Sequence, residues 1–67
     1  MPWSDADFPR SMVNLPRHIR DKAIQIANAL LGEGYEEGRA IRIGISQARR
    51  WAEVSARGSA GAYRRAS

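Results

Sequence analysis

Residues 32–38 read Gly-Glu-Gly-Tyr-Glu-Glu-Gly and interrupt a chain that otherwise carries helical periodicity on both sides. A connection this short forces two flanking helices to be antiparallel neighbours. The glycine density also suggests a phosphate-binding loop, but the residues argue otherwise. A dinucleotide motif needs a preceding strand and a P-loop needs a Lys-Ser/Thr pair, and neither is present. Glu33, Glu36 and Glu37 would also repel a phosphate. Read structurally, every residue has a place. Gly32 ends one helix in the left-handed conformation, Gly34 permits the reversal, Tyr35 plugs the corner, and the glutamates complement the positive end of the next helix.

Upstream, Ile19, Ala23, Ile26, Ala27 and Leu30 form one apolar stripe at helical spacing, widened by Ile24 and Leu31. The spacing predicts a helix from about Pro16, a residue suited to a first turn, to Leu31. Downstream, Ile41, Gly44, Ile45, Ala48, Ala52 and Ser55 share a face, predicting a second helix from about Glu36 to Ala56. Gly44, Ala48 and Ala52 are small, so the first helix can approach closely there. Ile43 and Val54 point to roughly the opposite side, with Trp51 at the border. A helix with two apolar sides must touch two things, and the second is most simply the N-terminal arm.

That arm, residues 1–15, holds Trp3, Phe8, Met12, Val13 and Leu15, too many apolar groups for a free tail. Asp7 is placed to cap a short turn beginning at Phe8 and Pro9. The predicted fold class is therefore all-α: an N-terminal arm with a short helix plus two longer antiparallel helices, a small three-helix domain over residues 1–57. Trp3, Phe8, Ile19, Ala23, Ile26, Ala27, Leu30, Tyr35, Ile41, Ile45, Ala48 and Trp51 are expected to dominate its core. Residues 58–67 are rich in Gly, Ala, Ser and Arg without apolar periodicity and read as a disordered basic tail. Within it, Tyr63–Ser67 looks like a basophilic kinase site with Ser67 as acceptor.

At 67 residues there is no room for an enclosed substrate cavity beside a core. The chain has no cysteine, which excludes disulfides and thiolate metal sites. His18 is the only histidine and has no nucleophile or acid at a recognisable spacing; it reads as a surface residue in a first helical turn. No carboxylates form an acid/base couple, and Asp5 and Asp7 read as capping groups. No enzyme activity, cofactor, metal or small-molecule substrate is expected. No apolar run approaches the ~20 residues needed to span a bilayer. The opening residues carry acids and prolines where a signal peptide needs a basic start and an apolar core, so a cytoplasmic protein is expected.

The net charge of +4 is unevenly placed. Arg10, Arg17, Arg20 and Lys22 balance Asp5, Asp7, Asp21 and Glu33, while seven arginines against Glu36, Glu37 and Glu53 carry the whole excess in the second half. Arg39, Arg42, Ser46, Arg49, Arg50 and Arg57 fall within about a 100° arc of the second helix, with Glu53 among them. Guanidinium forks match phosphate geometry, so this face can track a nucleic-acid backbone. The plainer reading is a solvated face in which Glu53 bridges Arg49, Arg50 and Arg57. A protein-interaction or self-association surface on Ile43, Trp51 and Val54, with a homodimer as one form, is the alternative. Membrane-surface binding is the weakest reading, because the apolar face is needed for the core.

The pattern MPW…FP.SM.NLP…R.KAI.IANALL.EGY.EGRAI.I…QA..WAE, running from Met1 to about Glu53, resembles a family of short bacterial proteins of unknown function. It is similar to the N-terminal region of the YdaT-like stress-associated proteins, and more distantly to ChaB-like proteins, which share an LP entry, alanine-rich helices and a late tryptophan. The resemblance implies a compact helical unit in a stress-related bacterial protein. It assigns no catalytic residue.

Overall fold

The computed structural model describes the backbone of residues 2–66 and the side chains of residues 2–56. Helix α1 spans Arg17–Gly32. Pro16 sits one position before it, as the N-cap, and its carbonyl accepts from Ile19 N–H at 3.0 Å and Arg20 N–H at 2.8 Å. The left-handed residue that closes α1 comes two residues later than expected. Gly32 stays helical, and the left-handed residue is Gly34, with φ +100°. Gly34 N–H donates to the Leu31 carbonyl and Tyr35 N–H to the Leu30 carbonyl, both at 3.0 Å. These paired bonds satisfy carbonyls that a helix end otherwise leaves open, and they require a positive φ at the residue before Tyr35.

Helix α2 spans Glu37–Ala66, and Glu36 accepts its first bond, from Ala40 N–H at 2.8 Å. The expected tail, residues 58–67, falls in the stretch whose side chains are not described. Ser67 and all side chains from Arg57 onward lie outside the described residues, the kinase-like Tyr63–Ser67 motif included.

The two helices meet along a seam of small side chains. Ala23 and Ala27 of α1 and Ala40 and Ala48 of α2 have no exposed surface at all. A Cβ built on Gly44 would stand 2.9 Å from the Ala23 carbonyl oxygen and 3.2 Å from the Ala27 Cβ. Further along, Lys22 lies against Trp51. Residue numbers thus fall on one helix as they rise on the other, so the pair is antiparallel. Ile19, Ile26, Leu30, Leu31, Ile41 and Ile45 pack around this seam, half-buried. Tyr35 and Trp51, expected in the core, are instead 40% and 39% exposed. Backbones this close leave no volume for an aromatic ring between them, so large rings are pushed to the edges.

The N-terminal arm closes over α1. Its short helix is a single 3-10 turn, Arg10–Met12, so the third helix of the expected bundle is one turn only. Proline at 9 and at 16 leaves six residues between breakers, and Leu15 is further restrained by the proline after it. Met12 is fully buried and Leu15 nearly so, whereas Val13 is exposed. Asp7 does not cap this turn: Pro9 holds the N-cap position with no side-chain bond. The Asp7 backbone instead pairs with Ser4 through two bonds of 2.8 and 3.1 Å, which fold the arm into a tight loop. Asp5 is likewise no cap but an anchor, binding Arg17 at 3.1 Å and approaching Arg20 at 3.9 Å. Arg20 in turn stacks on Phe8, 4.5 Å from the ring centroid. Asn28 bonds both sides of the Trp3 peptide, accepting from its N–H at 3.3 Å and donating to its carbonyl at 2.9 Å. All these ties go to α1. Val54 is exposed and Ile43 stands outside the buried cluster, so the arm does not cover the second apolar side of α2.

Candidate nucleic-acid interface

The seam fixes which way every other residue of α2 points. Ala40, Gly44 and Ala48 face α1, and at about 100° per residue Arg39, Arg42, Ser46, Arg49 and Arg50 project on the far side. Arg39, Arg42, Arg49 and Arg50 are exposed, as is Ser46 among them. None of these four arginines forms an ion pair among the described residues; Arg17 and Arg20, by contrast, are spent on Asp5. Glu53 is exposed in the same arc and is engaged in an interaction of its own. The side chain of Arg57 lies outside the described residues.

Two adjacent ridges organise this surface. Arg42, Ser46, Arg50 and Val54 form one row at four-residue spacing, and Arg39, Ile43, Gln47 and Trp51 form the next. Arg42, Ile43, Ser46, Gln47 and Arg50 line a shallow depression between them. A second depression holds Arg42, Arg49, Arg50, Glu53 and Val54. Of the apolar residues on α2 outside the core, Ile43 is half-buried and Val54 58% exposed beside the arginines, while Trp51, 39% exposed, lies toward α1.

Sequence reasoning missed one contributor. Lys22 belongs to α1, yet its Nζ lies 5.3 Å from the Trp51 ring centroid, a cation–π contact that adds a positive group at the edge of the second ridge. Nothing local signals this, because the pairing depends on how the two helices are registered. His18 is exposed. No group of three or more acidic or imidazole side chains among the described residues is placed to hold a metal ion. No helix among them is long and apolar enough to cross a membrane.

Comparison with known proteins bears on the lineage of this arrangement. The chain is 60% identical over 53 residues to the uncharacterised protein YdaT of Bacillus subtilis. It is related to YdaT. The aligned part covers 79% of this chain but 35% of the relative, so the chain spans about a third of the length of YdaT. The YdaT relationship accounts for the similarity read from the sequence pattern and carries no link to ChaB-like proteins. No family model matches the chain, and no solved structure matches it.

Proposed function

We propose that the chain is a non-catalytic module that binds nucleic acid through Arg39, Arg42, Arg49 and Arg50, with Arg57 extending the same face. One observation carries the reading: four exposed arginines stand opposite the helix seam, and none is held by a carboxylate among the described residues. A structural salt-bridge face would look different, as the Asp5 cluster on α1 does. An α-helix is about 10–12 Å wide with its side chains, which fits a major groove of about 12 Å. The guanidinium row also suits phosphates along a single strand.

Binding of a short labelled duplex, followed by fluorescence anisotropy against salt, tests this. Four phosphate contacts predict a slope of about −3.6 in log K against log salt, hence about a 150-fold loss between about 50 and 200 mM. A dissociation constant that does not move with salt, or no binding at the lower concentration, would sink the proposal.

A second reading rests on the exposure of Trp51 and Val54. Together with Ile43 these residues offer an apolar strip for a second copy or another protein. Self-association through it predicts a melting temperature and a sedimentation coefficient that rise with protein concentration. Values independent of concentration would exclude a homodimer on this strip.

A further inference from the structure

Ser46 and Glu53 divide the arginine face into two halves. By helical spacing they lie within about 10° of one midline that points away from the seam. Arg42 and Arg49 diverge from that line by about 30–50° on one side, and Arg39 and Arg50 by about the same angles on the other. These side chains are all exposed. Arg42, Ser46, Arg49, Arg50 and Glu53 line one depression. No aromatic ring among the described residues lines either depression on this face. Single strands are held by basic groups together with rings on which the bases stack. Two rows of cations with a hydroxyl and a carboxylate between them fit paired bases instead, where two phosphate strands wall a groove.

The carboxylate selects the groove. Close to a phosphate strand Glu53 would be repelled, and the midline is the part of this face farthest from both strands. There it meets base edges. The major groove of B-DNA, about 12 Å wide, admits a helix, whereas the deep, narrow major groove of an RNA duplex keeps side chains out. Resting on the nucleic-acid reading above, we infer that α2 lies in the major groove of B-form DNA, with Arg42 and Arg49 on one phosphate strand, Arg39 and Arg50 on the other, and Glu53 reading cytosine. The Glu53 carboxylate accepts from the cytosine N4 amino group. Adenine also offers an amino group, but beside its N7 acceptor, which repels a carboxylate. Ser46 bonds to donor and acceptor edges alike. Glu53 has an interaction of its own within the chain, so only a base offering a donor in return draws it away. The arm's ties all go to α1 and leave this face open.

Fluorescence anisotropy with labelled duplexes of equal length tests this. G·C-rich DNA should bind about 5-fold or more tighter than A·T-rich DNA, the lower end for one base contact. An RNA duplex of the G·C-rich sequence should bind more weakly than its DNA counterpart. Glu53→Gln is nearly isosteric and exchanges the cytosine contact for the adenine N6/N7 pairing of an amide. It should turn the preference toward A·T-rich DNA and leave the salt slope alone. Arg50→Gln should instead weaken both DNA duplexes alike and reduce the slope by about 0.9. Equal affinity for the two DNA duplexes, or a preference that Glu53→Gln leaves untouched, overturns the inference; the nucleic-acid function survives either result if binding still falls with salt. Oligothymidylate bound as tightly as the G·C-rich duplex also overturns it. Failure of all these nucleic acids to bind at low salt removes the inference and the function it rests on together. The duplex comparison uses the unmodified chain, so poor folding of a variant cannot mask the answer.

Discussion

Replacing Gly44 with alanine puts a methyl group 2.9 Å from the Ala23 carbonyl oxygen, 3.3 Å from the Ala27 nitrogen and 3.2 Å from the Ala27 Cβ. A carbon and a carbonyl oxygen settle at about 3.3–3.6 Å, so the helices must part by several tenths of an ångström. The opposing atoms are mostly backbone and cannot swing aside. Opening the seam loosens contacts at Ala23, Ala27, Ala40 and Ala48, all fully buried, and even a 0.5–1 Å gap forfeits roughly a quarter to a half of each contact. Overpacking of this kind costs about 1–3 kcal/mol. Alanine returns up to about 1 kcal/mol of helix propensity. The net expectation is a loss of about 1–2 kcal/mol, or about 4–16 °C in melting temperature for a domain this small. Gly38→Ala is the internal control. Gly38 lies on the same helix with nothing within 4 Å of its built Cβ, so the same chemical change should stabilise by up to about 1 kcal/mol. Circular-dichroism melts of the two variants should move in opposite directions. If Gly44→Ala melts higher than the parent, as Gly38→Ala should, the close approach of the helices is refuted.

Three other substitutions probe the joint and the arm. Gly34→Ala forces a side chain into φ +100°, and a chemical-denaturation midpoint should report a loss of about 1–2 kcal/mol. Asn28→Ala removes both bonds to the Trp3 peptide and should cost about 1–3 kcal/mol; on a Trp51→Phe background, Trp3 emission should shift to the red as the arm loosens, and an unchanged spectrum would contradict the docking. Asp5→Asn breaks contacts to Arg17 and Arg20, but the Arg17 side chain is 75% and Asp5 53% exposed, so thermal melts should show a loss within about 1 kcal/mol, shrinking further in high salt.

Helical class, the two long helices and their antiparallel pairing follow from local signals: apolar residues at helical spacing on either side of a glycine-rich joint. The small row Gly44–Ala48 was legible as a place of close approach for the same reason. Errors cluster where two segments had to be placed against each other. Both Gly32 and Gly34 suit a helix end, and the choice fell to Gly34 because it sets Tyr35 N–H under the Leu30 carbonyl. Asp7 has the chemistry of a cap, yet its backbone is taken by Ser4. Tyr35 and Trp51 have the size of core residues, yet the seam has no volume for them.

The same division runs through the candidate site. The sequence by itself determined that the arginines share one arc of α2, since angular position on a helix depends only on residue spacing. Tertiary structure decided that this arc faces away from α1, that Asp5 engages Arg17 and Arg20, and that Lys22 of one helix meets Trp51 of the other. Those are contacts between segments distant in the chain. They depend on helix register and side-chain volume, which no periodicity along a single helix encodes.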